Sequence, residues 1–280
     1  MNAPGHSWRT TKERSAVDVT FFVVRHGQTL FNVMGKVQGW CDTPLTEEGV
    51  RAARSLGRGL AGVDFAAAYS SDSGRAVQTL HEVLDSRAAE RARARFDERA
   101  QGKGSPASVE AVQSAVYVPA GPNSRSACAE DDGFSIPAAQ DARLREWCYG
   151  DLEGEPGEQL HRVFAQGFGR KLSFAELNSR LPEVADVIAA ADRSGRAERF
   201  ADIEIRLKRF FEDAGRAALA AGGGNVLVVT HSFVVRTLVY LLEPSRVNDP
   251  LKILNASVTR LAFDGECFSL GDVGSMEYVR

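Results

Sequence analysis

The chain is poor in every device that would cross-link it, carry it through a bilayer or hold it to nucleic acid by bulk charge. Its four cysteines, Cys41, Cys128, Cys148 and Cys267, form no Cys-x-x-Cys pair, and none stands at zinc-finger spacing from a histidine. Neither a disulfide framework nor a structural zinc is therefore indicated, and free thiols in a reducing compartment are expected. No run approaches the roughly 20 apolar residues of a membrane span. The opening Met1-Asn2-Ala3-Pro4-Gly5-His6 lacks the apolar stretch of a signal peptide. Neither sign of charge dominates: 34 Lys and Arg stand against 37 Asp and Glu, a net of -3. That balance removes any general pull towards nucleic acid or anionic lipid, so an anion would have to be held by a local cluster. The expectation is a cytoplasmic protein without a nucleic-acid or membrane partner. The sequence carries no signature of oligomeric state.

What is present is ordinary for a globular protein: 44% hydrophobic and 25% charged residues in a chain of 280, enough for one large domain or two small ones. Residues 1–16 are polar and basic and are expected to form a tail, with the domain proper over 17–280. Val17 to Val24 is an almost unbroken β-branched and aromatic run, the pattern of a strand buried on both faces. Val226 to Val229 repeats it after a Gly222-Gly223-Gly224-Asn225 turn, and Phe65 to Tyr69 is a shorter candidate. Helical stripes fall between them. Thr46 is a predicted N-cap followed by Val50, Ala53, Leu56 and Leu60; Ser73 is another, followed by Val77, Leu80 and Leu84. Further stripes run through Ile203, Leu207, Phe210, Phe211 and Ala214, and through Val234, Val235, Leu238, Val239 and Leu242. Leu172 to Ala191 also reads as helical. Val258 to Phe263 and Cys267 to Leu270 flank Asp264-Gly265 as a terminal hairpin. Alternating strands and helices give an α/β fold. The stretch 87–137 departs from the pattern: Ala88 to Arg99 can extend a charged helix, while 101–108 and 120–133 read as loops of an insertion or of a flap over the site.

The chemistry concentrates at two strand ends. The first strong strand runs into Arg25-His26-Gly27 and the second into Thr230-His231-Ser232. In open α/β sheets ligands bind beyond the carboxyl ends of strands, so the two histidines can face one crevice. A helix starting after His231 would turn N–H groups towards an anion there. Either histidine alone could be a structural residue; the matched contexts make them a candidate pair. His6, His81 and His161 have no such context and read as surface or packing residues.

The block Arg25-His26-Gly27-Gln28-Thr29-Leu30-Phe31-Asn32 resembles the signature of the histidine phosphatase superfamily, the phosphoglycerate mutase-like family. Four further blocks follow in the family's order: Gln38 to Gly49, Ser70 to Thr79, Leu144 to Gly154, and Val228 to Ser232. The resemblance covers most of Val19 to Phe263, leaving out the tail and 87–137. Two departures are small: Thr230-His231-Ser232 stands for the commoner Ser/Gly-His-Gly, and Gly74 for a bulkier residue. The resemblance implies a single three-layer α/β domain, a mainly parallel central sheet flanked by helices, with the terminal hairpin adding antiparallel edge strands. It implies that His26 attacks phosphorus, that Arg25 and Arg75 hold the phosphoryl oxygens, that His231 donates to the developing charge, and that Glu146 protonates the leaving oxygen. Asn32, Gln38, Gly39 and Ser232 would help bind phosphate or substrate, and neither metal nor cofactor is required. Arginine suits that work because its planar fork matches phosphate. Arg143 and Arg145 are alternative partners for Glu146. Asn32 could equally cap a turn, Trp40 and Trp147 read as packing residues, and Arg236 as the partner of an acid.

The family holds both hydrolases and mutases. A mutase must retain a small, highly anionic intermediate, and its members carry a lysine after the acid block and then adjacent arginines. Here Glu155-Pro156-Gly157-Glu158 follows the acid block, and the chain has no Arg-Arg pair, although Arg170-Lys171 is a basic doublet. The expected function is a phosphoric monoester hydrolase for a small phosphorylated metabolite. The alternatives are a 2,3-bisphosphoglycerate-dependent phosphoglycerate mutase and a non-catalytic phosphoester-binding module; Arg162, Arg170 and Lys171 could touch substrate or simply be solvated.

Overall fold

Strand β1 (Val19–Arg25) lies at the centre of the computed structural model, which describes residues 18–100 and 136–279. The predicted tail, the 101–108 and 120–133 loops, Cys128 and His6 lie outside the described residues. On one side β1 pairs in parallel with β4 (Gly224–Thr230), on the other antiparallel with β5 (Val258–Phe263). Parallel β2 (Phe65–Ser70) and β3 (Ala138–Gln140) extend one edge, and β6 (Phe268–Leu270) extends the other. The six-stranded mixed sheet has the order β3-β2-β4-β1-β5-β6. The terminal hairpin supplies the antiparallel edge, turned where the Asp264 carboxylate accepts from the Glu266 and Cys267 N–H groups.

The unbroken apolar runs have a plain cause: both faces of these strands are covered. Val19, Phe21 and Val23 of β1, with Val226 and Val228 of β4, pack on one face; Phe22, Val24, Leu227 and Val229 pack on the other. The second face is closed by α2 (Glu47–Gly59) and α3 (Gly74–Ala100). The first is closed by α4 (Gly157–Gly167), α5 (Phe174–Asn178), α6 (Leu181–Ala191), α7 (Phe200–Ala220) and α8 (Ser232–Leu242). The result is one three-layer α/β domain. Alternate residues of each central strand feed separate cores, as the period-2 geometry of a strand requires.

Several details differ from the sequence reading. Thr46 caps α2 through Gly49 N–H at 3.1 Å, but Ser73 turns its hydroxyl to Ser71, and the Arg75 N–H of α3 meets Asp42 instead. The buried stripe of α3 is Ala76, Leu80 and Val83: Leu80 is as expected, while Ala76 and Val83 take the places of the neighbouring Val77 and Leu84. α3 continues through the Ala88 to Arg99 stretch. The segment 172–191 is two helices, separated at Ser179 and Arg180 and restarted with Pro182 in the first turn of α6, where proline's missing N–H is harmless. The short α1 (Leu30–Met34), α4 and the exposed three-residue β3 had no clear sequence signal. Among the described residues, no helix is long and apolar enough to cross a membrane, and Cys41, Cys148 and Cys267 are free thiols.

Candidate active site

The carboxyl ends of β1 and β4 are register partners, Arg25 opposite Thr230. The residues that follow, His26 and His231, are therefore brought side by side. Their rings meet edge-on, with centroids 5.2 Å apart, and both are buried. Gly27 lets the chain turn away at once: a Cβ there would sit 2.6 Å from the Gly49 carbonyl oxygen. Its N–H is held by Thr79, whose hydroxyl donates back to the Arg75 carbonyl. Asn255, which sequence reasoning missed, donates to the His26 carbonyl at 2.9 Å and to Asn32 Oδ1 at 3.2 Å.

Arg75 lies fully buried between the histidines, at the start of α3. Its five N–H groups are all engaged. Nε donates to His26 Nε2 (3.3 Å); Nη1 donates to the Cys41 carbonyl (2.9 Å) and Asp42 Oδ1 (2.8 Å); Nη2 donates to the Gly39 carbonyl (2.7 Å) and His231 Nδ1 (3.0 Å). Because a guanidinium only donates, both tautomers follow. His26 accepts at Nε2, so its Nδ1 carries the proton and gives it to the Gly27 carbonyl at 2.7 Å. His231 accepts at Nδ1, so Nε2 carries the proton, and that buried Nε2 has no partner. Burial, then the charges of Arg75 and other neighbours, hold both imidazoles well below the ordinary histidine pKa. They are neutral at physiological pH, which leaves His26 with an available lone pair.

Arg25 donates Nη1 to the Ile253 carbonyl at 2.6 Å, while its buried Nε has no partner. Burial lowers its pKa to about 10, and it remains a cation at neutral pH. Two buried donors at adjacent strand ends, Arg25 Nε and His231 Nε2, thus go unanswered. An unsatisfied buried donor carries a substantial cost, and at a functional site it marks where a ligand's acceptor belongs.

Glu146 is buried beside the start of α8. Its carboxyl takes the N–H groups of Trp147 and Phe233, both at 3.0 Å, with the Ser232 hydroxyl at 3.4 Å. Burial raises its pKa, and the two N–H contacts only partly oppose this. The alternative pairings do not form: Arg143 binds Asp141 and Asp213, and Arg145 binds Asp72. Arg206 of α7, another residue without a sequence signal, holds the carbonyls of Arg143, Arg145 and Glu146 in line.

The remaining candidates are placed as follows. Asn32 is in the capping box of α1, its Oδ1 accepting from Thr29 N–H. The Gln38 carboxamide lies between the Thr29 and Thr43 hydroxyls. Gly39 gives its carbonyl to Arg75 and its N–H to Glu153, and Ser232 stands against Glu146. Trp147 is buried among Phe200 and Phe233, as expected. Trp40 is not a core residue: it is 46% exposed, with Arg145 over its ring and its indole N–H on the Glu146 carbonyl. Arg236 has no acidic partner; it is buried and donates to the carbonyls of Val247, Pro250 and Leu251, because a loop rather than an acid faces that side of α8. His81 and His161 are exposed. Among the described residues, no cluster of three or more His, Cys, Asp or Glu is arranged to hold a metal ion.

Known proteins share this chain's sequence pattern and fold. The sequence model of the histidine phosphatase superfamily (branch 1) matches residues 21–116 and 124–275. A 2,3-bisphosphoglycerate-dependent phosphoglycerate mutase 2 of Gloeobacter violaceus is 42% identical over 221 residues, covering 79% of this chain and 74% of its own. The crystal structure of phosphoglycerate mutase from Bacillus anthracis superposes with a TM-score of 0.73 at 31% identity, over 94% of this chain and 96% of that one. A phosphoserine phosphatase from Entamoeba histolytica shares the fold, with a TM-score of 0.58 at 16% identity, over 94% and 100% of the two chains. This chain belongs to the histidine phosphatase superfamily, branch 1.

Proposed function

We propose that the protein is a phosphoric monoester hydrolase that works through a phosphohistidine on His26. The observation that carries the reading is the pair of unanswered buried donors, Arg25 Nε and His231 Nε2, beside a neutral imidazole whose Nε2 holds a lone pair. A phosphoryl group at this point would receive both donors. Attack by His26 Nε2 replaces its long contact with Arg75 by a bond to phosphorus and frees the Arg75 Nε–H for an equatorial oxygen. The P–O bond to the alcohol breaks as Glu146 passes its proton to the leaving oxygen. Water then attacks the phosphohistidine, Glu146 takes the proton of that water, and the P–N bond breaks, returning neutral His26 and free phosphate. Charge neutralisation and positioning, the main needs of phosphoryl transfer, come from side chains, and no step calls for a metal or cofactor.

Hydrolysis is preferred to mutase chemistry because no adjacent arginines follow the acid block. Arg170 of the doublet Arg170-Lys171 is paired with Glu176 at 2.6 Å, and the first turn of α4 carries Glu158. The names of the Gloeobacter and Bacillus relatives favour the second reading, a phosphoglycerate mutase. A non-catalytic module is disfavoured because nucleophile, clamp and acid are all in place. The free thiols fit a cytoplasmic setting, and the nearly balanced charge, a net of -3, fits a small phosphorylated metabolite rather than nucleic acid or membrane as partner. The test is phosphate release without added metal from a panel of phosphomonoesters, with conversion of 3- to 2-phosphoglycerate followed in parallel. Release supports the hydrolase, and interconversion without release would replace it by the mutase. His26→Ala should abolish either activity with the circular dichroism spectrum unchanged.

A further inference from the structure

Glu153 lies outside the reacting cluster, seven residues beyond Glu146, after the short turn Gly150–Leu152. Its carboxylate accepts four backbone N–H groups. Oε2 receives Gly39 and Cys41, each at 3.0 Å; Oε1 receives Trp40 at 2.8 Å and Tyr149 at 3.0 Å. Three successive N–H groups thus converge on one anion, a nest closed by the protein's own side chain. In a planar trans peptide the carbonyl points away from the following N–H. Turning the Trp40 N–H to Glu153 therefore sends the Gly39 carbonyl the other way, and there it meets Arg75 Nη2 at 2.7 Å. The Cys41 carbonyl, at the far end of the same nest, takes Arg75 Nη1 at 2.9 Å. The approach needs glycine at 39, since a Cβ would fall 2.2 Å from the Trp147 carbonyl oxygen and 2.4 Å from Glu153 Oε1. Through Tyr149 the same carboxylate ties this loop to the strip of chain that carries Glu146.

We propose that Glu153 is a positioning residue for phosphoryl transfer: it gathers the N–H groups of residues 39–41 and so sets the carbonyls that fix the plane of the Arg75 guanidinium between His26 and His231. The inference rests on the reading of Arg75 as the phosphoryl clamp. A carboxylate is required because it offers two accepting oxygens. Glutamine keeps one, leaving two of the four N–H groups facing an NH2, and alanine keeps none.

A double-mutant cycle tests this, read both as kcat/KM for a phosphomonoester and as the Kd of inorganic phosphate by calorimetry. Glu153→Ala should lower kcat/KM by about 10²-fold, the scale of a roughly 1 Å misplacement, mainly through kcat; Glu153→Gln should lower it less. With Arg75 already changed to Lys, which lacks the fork, either substitution should cost under about twofold, because the two residues act along one path. Phosphate Kd should follow the same pattern. Undiminished turnover in Glu153→Ala would overturn the proposal, as would an equal loss in both Arg75 backgrounds, the sign of a merely structural role. If Glu153→Ala does not fold, the Glu153→Gln pair decides by the same criterion. A wild-type protein that binds phosphate but hydrolyses no ester refutes the proposed function alone, and the Kd cycle then judges Glu153; a wild type that binds no phosphate refutes both.

Discussion

At the scale of single residues, the site is a set of protonation states fixed by one arginine. Arg75 can only donate, so it dictates which nitrogen of each histidine is bare, and its charge joins burial in keeping both rings neutral. The proposed mechanism requires neutral His26 and protonated Glu146. It should therefore fall with decreasing pH along a limb lying below the ordinary histidine pKa near 6.5, and fall again with increasing pH through a Glu146 pKa raised above its ordinary 4.5. Glu146→Gln should remove the alkaline limb and lower kcat by about 10² to 10⁴-fold; a pH profile of kcat/KM for both proteins checks this. His26, His231, Arg25, Arg75 and Glu146 were legible in the sequence because each sits in a dense local motif. Asn255, Arg206 and Glu153 were not. Each acts on backbone atoms of chain segments far away in sequence, and a residue type that bonds to backbone has no partner residue to betray it.

At the scale of elements, what the sequence displayed was burial, and what it hid was backbone satisfaction. The stripes of α7 and α8 are buried as read, residue for residue. The 172–191 segment broke where Asn178 turns to Asn248 and the Leu251 carbonyl, a contact with a distant loop that no local periodicity reports. Arg236 belongs to the same loop system. Its guanidinium is the donor for three carbonyls of the 247–251 turn, which leads directly to Ile253 and Asn255 at the site. Arg236→Met keeps the length of the side chain but leaves those carbonyls unanswered. Urea unfolding should show a loss of about 2–4 kcal/mol, together with reduced turnover, since the loop that holds Arg25 and Asn32 is loosened.

At the scale of the whole molecule, one sheet serves two cores, and the reacting groups sit where strand ends from its centre meet. The α/β class was legible from the unbroken apolar runs of β1 and β4 set among helical stripes, and the three layers from the family resemblance, whereas the three exposed residues of β3 carry no apolar pattern to read. Unanswered donors at that central seam predict a global effect: an oxyanion binding only the folded state should stabilise the entire domain. At a hundred times its Kd, inorganic phosphate should add about 2.7 kcal/mol. The melting temperature should rise accordingly, while chloride at equal ionic strength leaves it unchanged.

Asp42 gives the resting site one further property. Its carboxylate occupies Arg75 Nη1 while remaining partly open to solvent, and Gly74 makes the room, since a Cβ there would lie 2.5 Å from Asp42 Oδ2. The cation is never bare: on the proposed mechanism a phosphoryl oxygen takes Arg75 Nε–H while a tethered carboxylate stays on Nη1, so two anions share one guanidinium. The resident charge then repels bound phosphate and favours its release. Asp42→Asn should tighten inorganic phosphate, deepen product inhibition and, where release limits the rate, slow turnover as affinity improves.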